Sequence, residues 1–259
     1  MSVSAKISPG DTMMVDGDAE HYFACGASAM RAIKTAPLLG IPKAILDLPC
    51  GHGRVTRHLR DAYPDAELFV SDLDEPGADF CAAEFNATKL VSSLDFGDID
   101  FGRKFDLIWV GSLITHFDAQ TTRDFFGFLS RHLRSQGSAI VTSHGPLVAG
   151  RLLLAQRSLY SYIAPRLYGI VLDDEAAILA DYLAAGYGYQ DYPQQKGYGI
   201  SLVSRHWIAD AAGCFGLVVA SHLDHAWDNH QDVVVLRHTA AAPAEQPANL
   251  GLPAPAGRR

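Results

Sequence analysis

The sequence lacks any apolar run as long as the roughly 18 residues of a membrane-spanning helix. Its opening stretch, MSVSAKISPGDTMMVDGD, lacks the apolar segment of a secretory signal peptide. Cysteine is scarce too, and the four present are scattered without the spacing of a metal or redox motif. We therefore expect a cytoplasmic protein with reduced thiols, no membrane partner and no bound metal.

Positive charge is also in short supply. The 259 residues include 21 Lys and Arg against 29 Asp and Glu, which gives a formal net charge of −8 at pH 7. Phosphate-rich partners attract proteins through Lys and Arg, so this balance argues against nucleic acid as a partner. The hydrophobic fraction of 48% is enough for one α/β domain with an additional segment.

One stretch organises the rest of the chain. Residues 44–48 are a short apolar run, typical of a buried parallel strand, that contains a single acid, Asp47. A turn with Pro49, Gly51 and Gly53 follows, and then the first turn of a predicted helix. Glycines let a ligand approach the backbone, and the free N–H groups of a helix N-terminus point at it. The stretch therefore predicts a cradle for a cofactor.

This cradle resembles the first motif of the class I S-adenosylmethionine-dependent methyltransferases. The pattern of that motif is acid-x-Gly-x-Gly-x-Gly, with a glycine at every second position after the acid. Asp47 stands for the acid, which in the family lies near the methionine end of the cofactor, and Gly51 and Gly53 for the second and third glycines. Pro49 replaces the first glycine and removes one N–H donor. The alternative is the dinucleotide turn G-x-G-x-x-G of a nicotinamide oxidoreductase, but Thr56 occupies the place of its last glycine.

Later acids extend the resemblance. Asp72 ends the second predicted strand, nineteen residues after the last glycine of the turn, where an acid accepts hydrogen bonds from ribose hydroxyls. We group the adjacent Leu73 with it and keep Asp74 as the fallback, with helix capping as its alternative role. The resemblance also implies a polar residue near the adenine after the third strand. Asp95 is the first candidate and Asp98 the second, with a solvated acidic loop as the alternative.

Two further pairs of residues are cofactor candidates. Tyr22 and Arg31 belong to a predicted N-terminal helix, which in the family often covers the cofactor, and Arg suits a carboxylate. The alternative is an ordinary amphipathic helix with a solvated Arg31. Gly111 and Ser112 follow the fourth predicted strand, Phe105–Val110, and ligands of open α/β sheets lie beyond such strand ends. We expect this pair beside the methionine moiety.

Three histidines are candidates for a general base, because imidazole titrates near neutrality. His116 and His144 each follow the carboxyl end of a predicted strand, and His230 lies between the last two strands. Asp228 is placed to pair with His230 and to fix its tautomer. The alternatives are packing for His116, a loop role for His144, and turn chemistry at residues 228–230.

The chain divides into five predicted regions. They are a flexible tail (1–18), the first part of a cofactor-binding core (19–145), a cap (146–200), the rest of the core (201–238) and a disordered Ala/Pro-rich tail (239–259). The cap contains many tyrosines, among them Tyr160, Tyr162 and Tyr168, whose flat faces and hydroxyls suit a sugar or a small polar ring. Anchoring of a long connection is the alternative.

The resemblance, which rests on the ordered combination of these motifs, implies a Rossmann-like α/β fold. Its sheet is seven-stranded and mainly parallel, with an antiparallel last strand, helices on both faces and a helical cap insertion after strand 5. The resemblance implies methyl transfer from S-adenosyl-L-methionine, which leaves S-adenosyl-L-homocysteine. We expect O-methylation of a hydroxylated small molecule or sugar, with N-methylation of a small amine and non-catalytic binding as alternatives. A homodimer is compatible with the sequence.

Overall fold

The fold is that of a computed structural model, which describes residues 3–14, 17–155, 175–193 and 195–239. Its strands are β1 (Ala44–Asp47), β2 (Glu67–Asp72), β3 (Thr88–Val91), β4 (Phe105–Val110), β5 (Leu133–Ser143), β6 (Tyr187–Tyr192), β7 (Gln195–Val203), β8 (Leu217–Trp227) and β9 (Gln231–His238). Seven of them form one sheet in the order β3-β2-β1-β4-β5-β9-β8, and β6 pairs with β7 in a separate hairpin.

The directions of the strands follow the predicted pattern. From β3 to β5 all neighbours in the sheet are parallel. The last strand, β9, is antiparallel to both of its neighbours, β5 and β8. The predicted Rossmann-like fold is therefore confirmed, including the antiparallel last strand.

Helices cover both faces of the sheet. They are α1 (Ala19–Thr35), α2 (Thr56–Ala62), α3 (Glu75–Glu84), α4 (Ala119–His132), α5 (Pro146–Ala155), α6 (Glu175–Ala185) and α7 (Arg205–Gly213), with a 3₁₀ turn at Ile114–His116. Helices α1, α2 and α3 share one apolar core with the sheet, and α4 and α7 share the other. Within the described ranges, no helix has the length and apolar character that crossing a membrane requires.

The alternation of buried side chains along β4 explains how one strand serves two cores. Leu107 and Trp109 belong to the core beneath α1–α3, whereas Ile108 and Val110 belong to the core beneath α4 and α7. Successive side chains of a strand point to opposite faces, so a strand buried on both sides is apolar throughout. Strand β4 is the fourth of the seven strands in the sheet, so its carboxyl end lies at the centre of one sheet edge. We call this edge, where the parallel strands end, the upper edge of the sheet.

The region after β5 adds α5, α6 and the β6–β7 hairpin, which form a small apolar core of their own. Strand β7 also touches the main sheet's upper edge. The Val203 N–H donates to His144 O (2.9 Å), and Ser201 Oγ donates to Ile114 O (2.8 Å). The predicted cap tyrosines Tyr160, Tyr162 and Tyr168 lie outside the described residues, as do residues 240–259 of the predicted tail.

The N-terminal stretch departs from the expected loose tail, because residues 3–14 lie against the core. The buried guanidinium of Arg57 donates to Ser4 O (2.8 Å), Lys6 O (2.9 Å) and Gly53 O (2.9 Å). The ammonium of Lys6 pairs with Glu84 at 2.8 Å. We call residues 3–14 the N-terminal strap, since they join α2 and α3 across the glycine turn.

Candidate active site

The glycine turn between β1 and α2 takes the open conformation that its sequence predicts. Gly51 and Gly53 have positive φ angles of 50° and 85°. A Cβ on Gly53 would lie 2.2 Å from the ring of Phe85, so this position is closed to any larger residue. A Cβ on Gly51 would meet nothing within 4 Å, which leaves free space above the turn. The turn therefore packs tightly on one side and is open to a ligand on the other.

A cavity lies above this turn, at the carboxyl ends of β1, β2 and β4. Of the residues predicted for the site, seven line it: Asp47, Pro49, Gly51, Asp72, Gly111, Ser112 and His116. Sequence reasoning missed Asp11, Met13, His52, Arg54 and Trp227, which also line it. Residues of the N-terminal strap and of turns follow no helical or strand periodicity. The sequence pattern therefore could not place most of these five residues at the cavity.

Asp47 is the buried acid at the base of the cavity. Its Oδ2 accepts the hydroxyl proton of Thr56 at 2.6 Å, and its Oδ1 is buried without a hydrogen-bond partner among the described residues. Burial raises the pKa of Asp47 to about 7, with the nearby Asp72 raising it further and the Thr56 hydrogen bond lowering it. A carboxylate oxygen that is buried without a partner retains the capacity to accept a hydrogen bond.

Arg54 supplies the opposite charge in the same cavity. Its guanidinium is half-buried and lies 5.8 Å from the ring centroid of Trp227. Arg54 and the unpartnered oxygen of Asp47 thus offer a cation and an anion to one ligand. An amino acid end, with its ammonium and carboxylate groups, fits this pair.

Asp72 holds the glycine turn and the start of the segment that follows β2. Its Oδ2 accepts the Gly51 N–H at 2.7 Å, and its Oδ1 accepts the Asp74 N–H at 2.9 Å. Burial raises the pKa of Asp72. The fallback residue Asp74 caps α3 through the Gly77 N–H and pairs with His52 Nε2 at 2.9 Å, which is the capping role given as its alternative.

Other predicted cofactor residues lie off the cavity wall. Tyr22 is fully buried, donates its hydroxyl to Asp11 at 2.6 Å and accepts from Arg57 at 3.2 Å. Arg31 is exposed on α1, which matches the alternative of a solvated arginine. Leu73 is 57% exposed, and Asp95 is exposed and closes its own loop by accepting the Gly97 N–H. Gly53 and Asp98 also stand outside the lining, and Asp98 is exposed.

The structure groups the three predicted histidines at the upper edge of the sheet. The ring centroids of His144 and His230 are 6.1 Å apart, and the charges of His116 and His230 both act on the pKa of His144. Each imidazole places Nδ1 next to a backbone carbonyl: Gly199 O at 2.9 Å, Ser201 O at 3.1 Å and Asp228 O at 2.8 Å. A carbonyl only accepts, so Nδ1 carries the proton and Nε2 the lone pair in all three.

His116 is the histidine that lines the cavity. It stacks on Tyr198 with ring centroids 4.7 Å apart, and burial lowers its pKa to about 4. His144 is buried, its Nε2 has no partner among the described residues, and burial lowers its pKa as well. The strand β7 therefore fixes two of the three imidazoles, through carbonyls two residues apart.

The residues between β8 and β9 form a turn. Asp228 and Asn229 both have positive φ angles, and the His230 N–H donates to Trp227 O, as in a two-residue hairpin turn. The Asp228 carboxylate lies 4.0 Å from His230 Nδ1, beyond hydrogen-bond distance, and 3.5 Å from His21 Nε2. The expected carboxylate–imidazole hydrogen bond is therefore absent, and the alternative of turn chemistry describes this segment.

Much of the cavity lining lies in a segment that matches a known protein family. Residues 45–137, from β1 into β5, match the family model described as a methyltransferase domain. The chain carries a methyltransferase domain. The methyl donor for this domain is S-adenosyl-L-methionine. No curated protein sequence matches the chain.

Solved structures of methyltransferases share this fold. An S-adenosylmethionine-dependent methyltransferase from Clostridium acetobutylicum is 14% identical, with 86% of this chain and 93% of that chain covered and a TM-score of 0.54. Magnesium protoporphyrin IX methyltransferase from Synechocystis, with bound S-adenosylhomocysteine, is 13% identical over 85% and 84%, with a TM-score of 0.52. The glycopeptide N-methyltransferase MtfA is 11% identical over 83% and 90%, with a TM-score of 0.53.

Proposed function

We propose that this methyltransferase transfers the methyl group to a hydroxyl of a small molecule or sugar, with His116 as the general base. One observation carries the proposal. Among the three candidate histidines, His116 alone lines the cavity that contains the glycine turn, and its tautomer leaves Nε2 with a lone pair. Its low pKa keeps the imidazole neutral, and hence able to accept a proton, throughout the physiological pH range.

The charges of the cavity support a binding mode for the donor. S-adenosylmethionine supplies an electrophilic methyl group on a positively charged sulfur. In our proposal the unpartnered Asp47 Oδ1 accepts from the donor's ammonium, and Arg54 binds its carboxylate. Asp72, at the end of β2, accepts from the ribose hydroxyls, and Gly51 leaves room for the ligand above the turn. The protein then mainly aligns the two reactants.

The acceptor side of the cavity lies beneath the β6–β7 hairpin. Tyr198 extends from β7, is 42% exposed and stacks on His116, which also lines the cavity. An aromatic face beside a proton acceptor suits a flat hydroxylated ring or a sugar. This supports the proposal that residues 146–200 act as a cap over the acceptor.

Replacement of the base tests the proposal. We expect His116→Ala to lower kcat for hydroxylated acceptors by about 10²–10⁴-fold, the usual contribution of a general base. The dissociation constant of S-adenosylhomocysteine, measured by calorimetry, should stay within about twofold of wild type because no donor contact is removed. His206→Ala is the matched control, since His206 is exposed on α7. An unchanged kcat in His116→Ala would exclude the base role.

N-methylation of a small amine is the second candidate. A neutral amine attacks through its own lone pair and needs little help from a base, and MtfA shows that the fold also occurs in an N-methyltransferase. The same variant separates the two functions, because His116→Ala should retain turnover of an amine acceptor. A protein that binds S-adenosylhomocysteine and methylates neither class would instead be a binding protein.

A further inference from the structure

A closed ring of polar groups lies behind the cavity wall, where β4, β5 and β9 meet. The Ser112 N–H donates to Thr142 Oγ1 (2.8 Å), Thr142 Oγ1 donates to Gln231 Oε1 (2.6 Å), and Gln231 Nε2 donates to Ser112 Oγ (3.0 Å). Thr142 and Gln231 are buried, whereas Ser112 lines the cavity. Ser112 also has a φ of +55°, a left-handed conformation that favours glycine and is strained for serine. The ring therefore holds a strained residue at the cavity.

The direction of each hydrogen bond in the ring is fixed by its surroundings. The Ser112 N–H can only donate, so Thr142 accepts there and has its own proton available for Gln231. His230 donates Nδ1–H to Asp228 O, which leaves a lone pair on Nε2, 3.5 Å from Gln231. The amide atom that faces this lone pair is the NH₂ group, and the amide oxygen therefore faces Thr142.

Thr115 determines where the hydroxyl proton of Ser112 points. Thr115 is fully buried, and Ser112 Oγ, at 3.3 Å, is the one side-chain hydrogen-bond partner that it has within the described residues. A buried hydroxyl that keeps its proton unpaired costs free energy, so Thr115 donates to Ser112. Both lone pairs of Ser112 Oγ are then filled, one by Thr115 and one by Gln231. The proton of Ser112 is left to point into the cavity.

We infer that Ser112 donates this proton as a hydrogen bond to the acceptor oxygen, and that Gln231 is the positioning residue that sets its direction. The inference rests on the proposed O-methylation. The acceptor O–H bond breaks and its proton goes to His116 Nε2, while the oxygen bonds to the methyl carbon and the sulfur keeps the electron pair of the broken bond. The Ser112 hydroxyl stabilises the negative charge that develops on the oxygen as its proton leaves.

Two substitutions of Ser112 separate this chemical role from a structural one. Both Ser112→Ala and Ser112→Gly remove the hydroxyl, but glycine also relieves the strain of the positive φ. With catechol and labelled S-adenosylmethionine, we expect both variants to lower kcat by about 10–100-fold, somewhat less than the loss of a full oxyanion donor. The dissociation constant of S-adenosylhomocysteine should stay within about twofold, and the glycine variant should unfold at higher denaturant concentration than the alanine variant.

Gln231→Glu tests the direction of the hydrogen bond. A carboxylate has no N–H to donate, so Ser112 would turn its proton toward position 231 and away from the cavity. We expect a loss of kcat similar to that of Ser112→Ala, and no further loss in the double variant, because both changes remove one interaction. Acidification should restore part of the activity, because the buried Glu regains a donor when it is protonated. Gln136→Glu, an exposed position, is the control for added charge.

Binding of catechol to the protein–S-adenosylhomocysteine complex gives a readout that needs no turnover. We expect weaker binding in Ser112→Ala and in Gln231→Glu, and unchanged binding in Gln136→Glu. Wild-type kcat in Ser112→Ala, with His116→Ala still slow, would overturn this inference and leave the proposed function in place. If the wild-type protein methylates an amine probe but neither catechol nor methyl glucoside, the proposed O-methylation fails and the inference with it.

Discussion

The carboxylate of Asp47 lies between the core of the fold and the cavity. It is buried at the end of β1, and one of its oxygens bonds to Thr56 while the other has no partner among the described residues. Burial raises its folded pKa to about 7 from an ordinary value of 3.8. Because the folded pKa is the higher one, the unligated protein loses stability as pH rises from about 4 to 7. A bound ammonium group reverses this cost by favouring the ionised form.

This carboxylate gives a pH dependence to donor binding. We expect the affinity for S-adenosylhomocysteine to fall by about tenfold for each pH unit below pH 7, since the ligand must displace a proton from Asp47. Calorimetric titrations between pH 5.5 and 8.5 measure the effect. Asp47→Asn is the matched variant, because its neutral amide should bind the ligand weakly with little dependence on pH. A wild-type affinity that is flat over this range would show that Asp47 does not hold the ammonium group.

At the residue scale, three motif residues that the sequence predicts for the cofactor site face the cavity, and their role there stays a prediction. Asp47, Gly51 and Asp72 were found from their spacing, and all three line the cavity. Arg54 was missed because an arginine at the start of a helix is ordinary, and only the structure shows it facing the same cavity as Asp47. Tyr22 was placed at the cofactor by the resemblance, yet its hydroxyl is used by Asp11 and Arg57.

At the scale of elements, the N-terminal strap is the part that the sequence did not foretell. Residues 3–14 have neither helical nor strand periodicity, and their order comes from backbone carbonyls that accept from Arg57. The strap brings Asp11 and Met13 to the cavity wall. The composition of such a stretch indicates a loose tail. Its contact with the buried guanidinium of Arg57, which is distant in sequence, cannot be recognised from the local residues.

Arg57→Lys should release the strap. Lysine keeps the charge but offers one donor group instead of the planar fork that reaches Ser4, Lys6, Gly53 and Tyr22 together. We expect amide hydrogen exchange in residues 3–14 to accelerate by about tenfold or more, since lost buried hydrogen bonds weaken the segment locally. Arg60→Lys is the control, because Arg60 contacts other loops, including Phe85 O and Asn86 O. Equal exchange in the two variants would contradict this role of Arg57.

At the scale of the whole molecule, the order of the motifs predicted the sheet, and the sheet predicted where the cavity lies. The acids that end β1 and β2, the glycine turn after β1 and the small residues after β4 all meet at one edge, because parallel strands end there together. The side of the cavity that we propose for the acceptor was less predictable. It depends on β7, whose carbonyls at Gly199 and Ser201 hold His116 and His144, and contacts between distant segments leave no periodic trace.

A ligand that binds across this edge should stabilise the whole domain, because it joins β1, β2 and β4 with α2. At about one hundred times its dissociation constant, S-adenosylhomocysteine should add about 2.7 kcal/mol to the free energy of unfolding. For a domain of this size that corresponds to a rise in Tm of about 5–10 °C, measurable by differential scanning fluorimetry. NADH, the ligand of the dinucleotide alternative, should leave Tm unchanged. The rise should be larger at pH 8 than at pH 6 in the wild type and independent of pH in Asp47→Asn, so a pH-independent rise in the wild type would place the ligand away from Asp47.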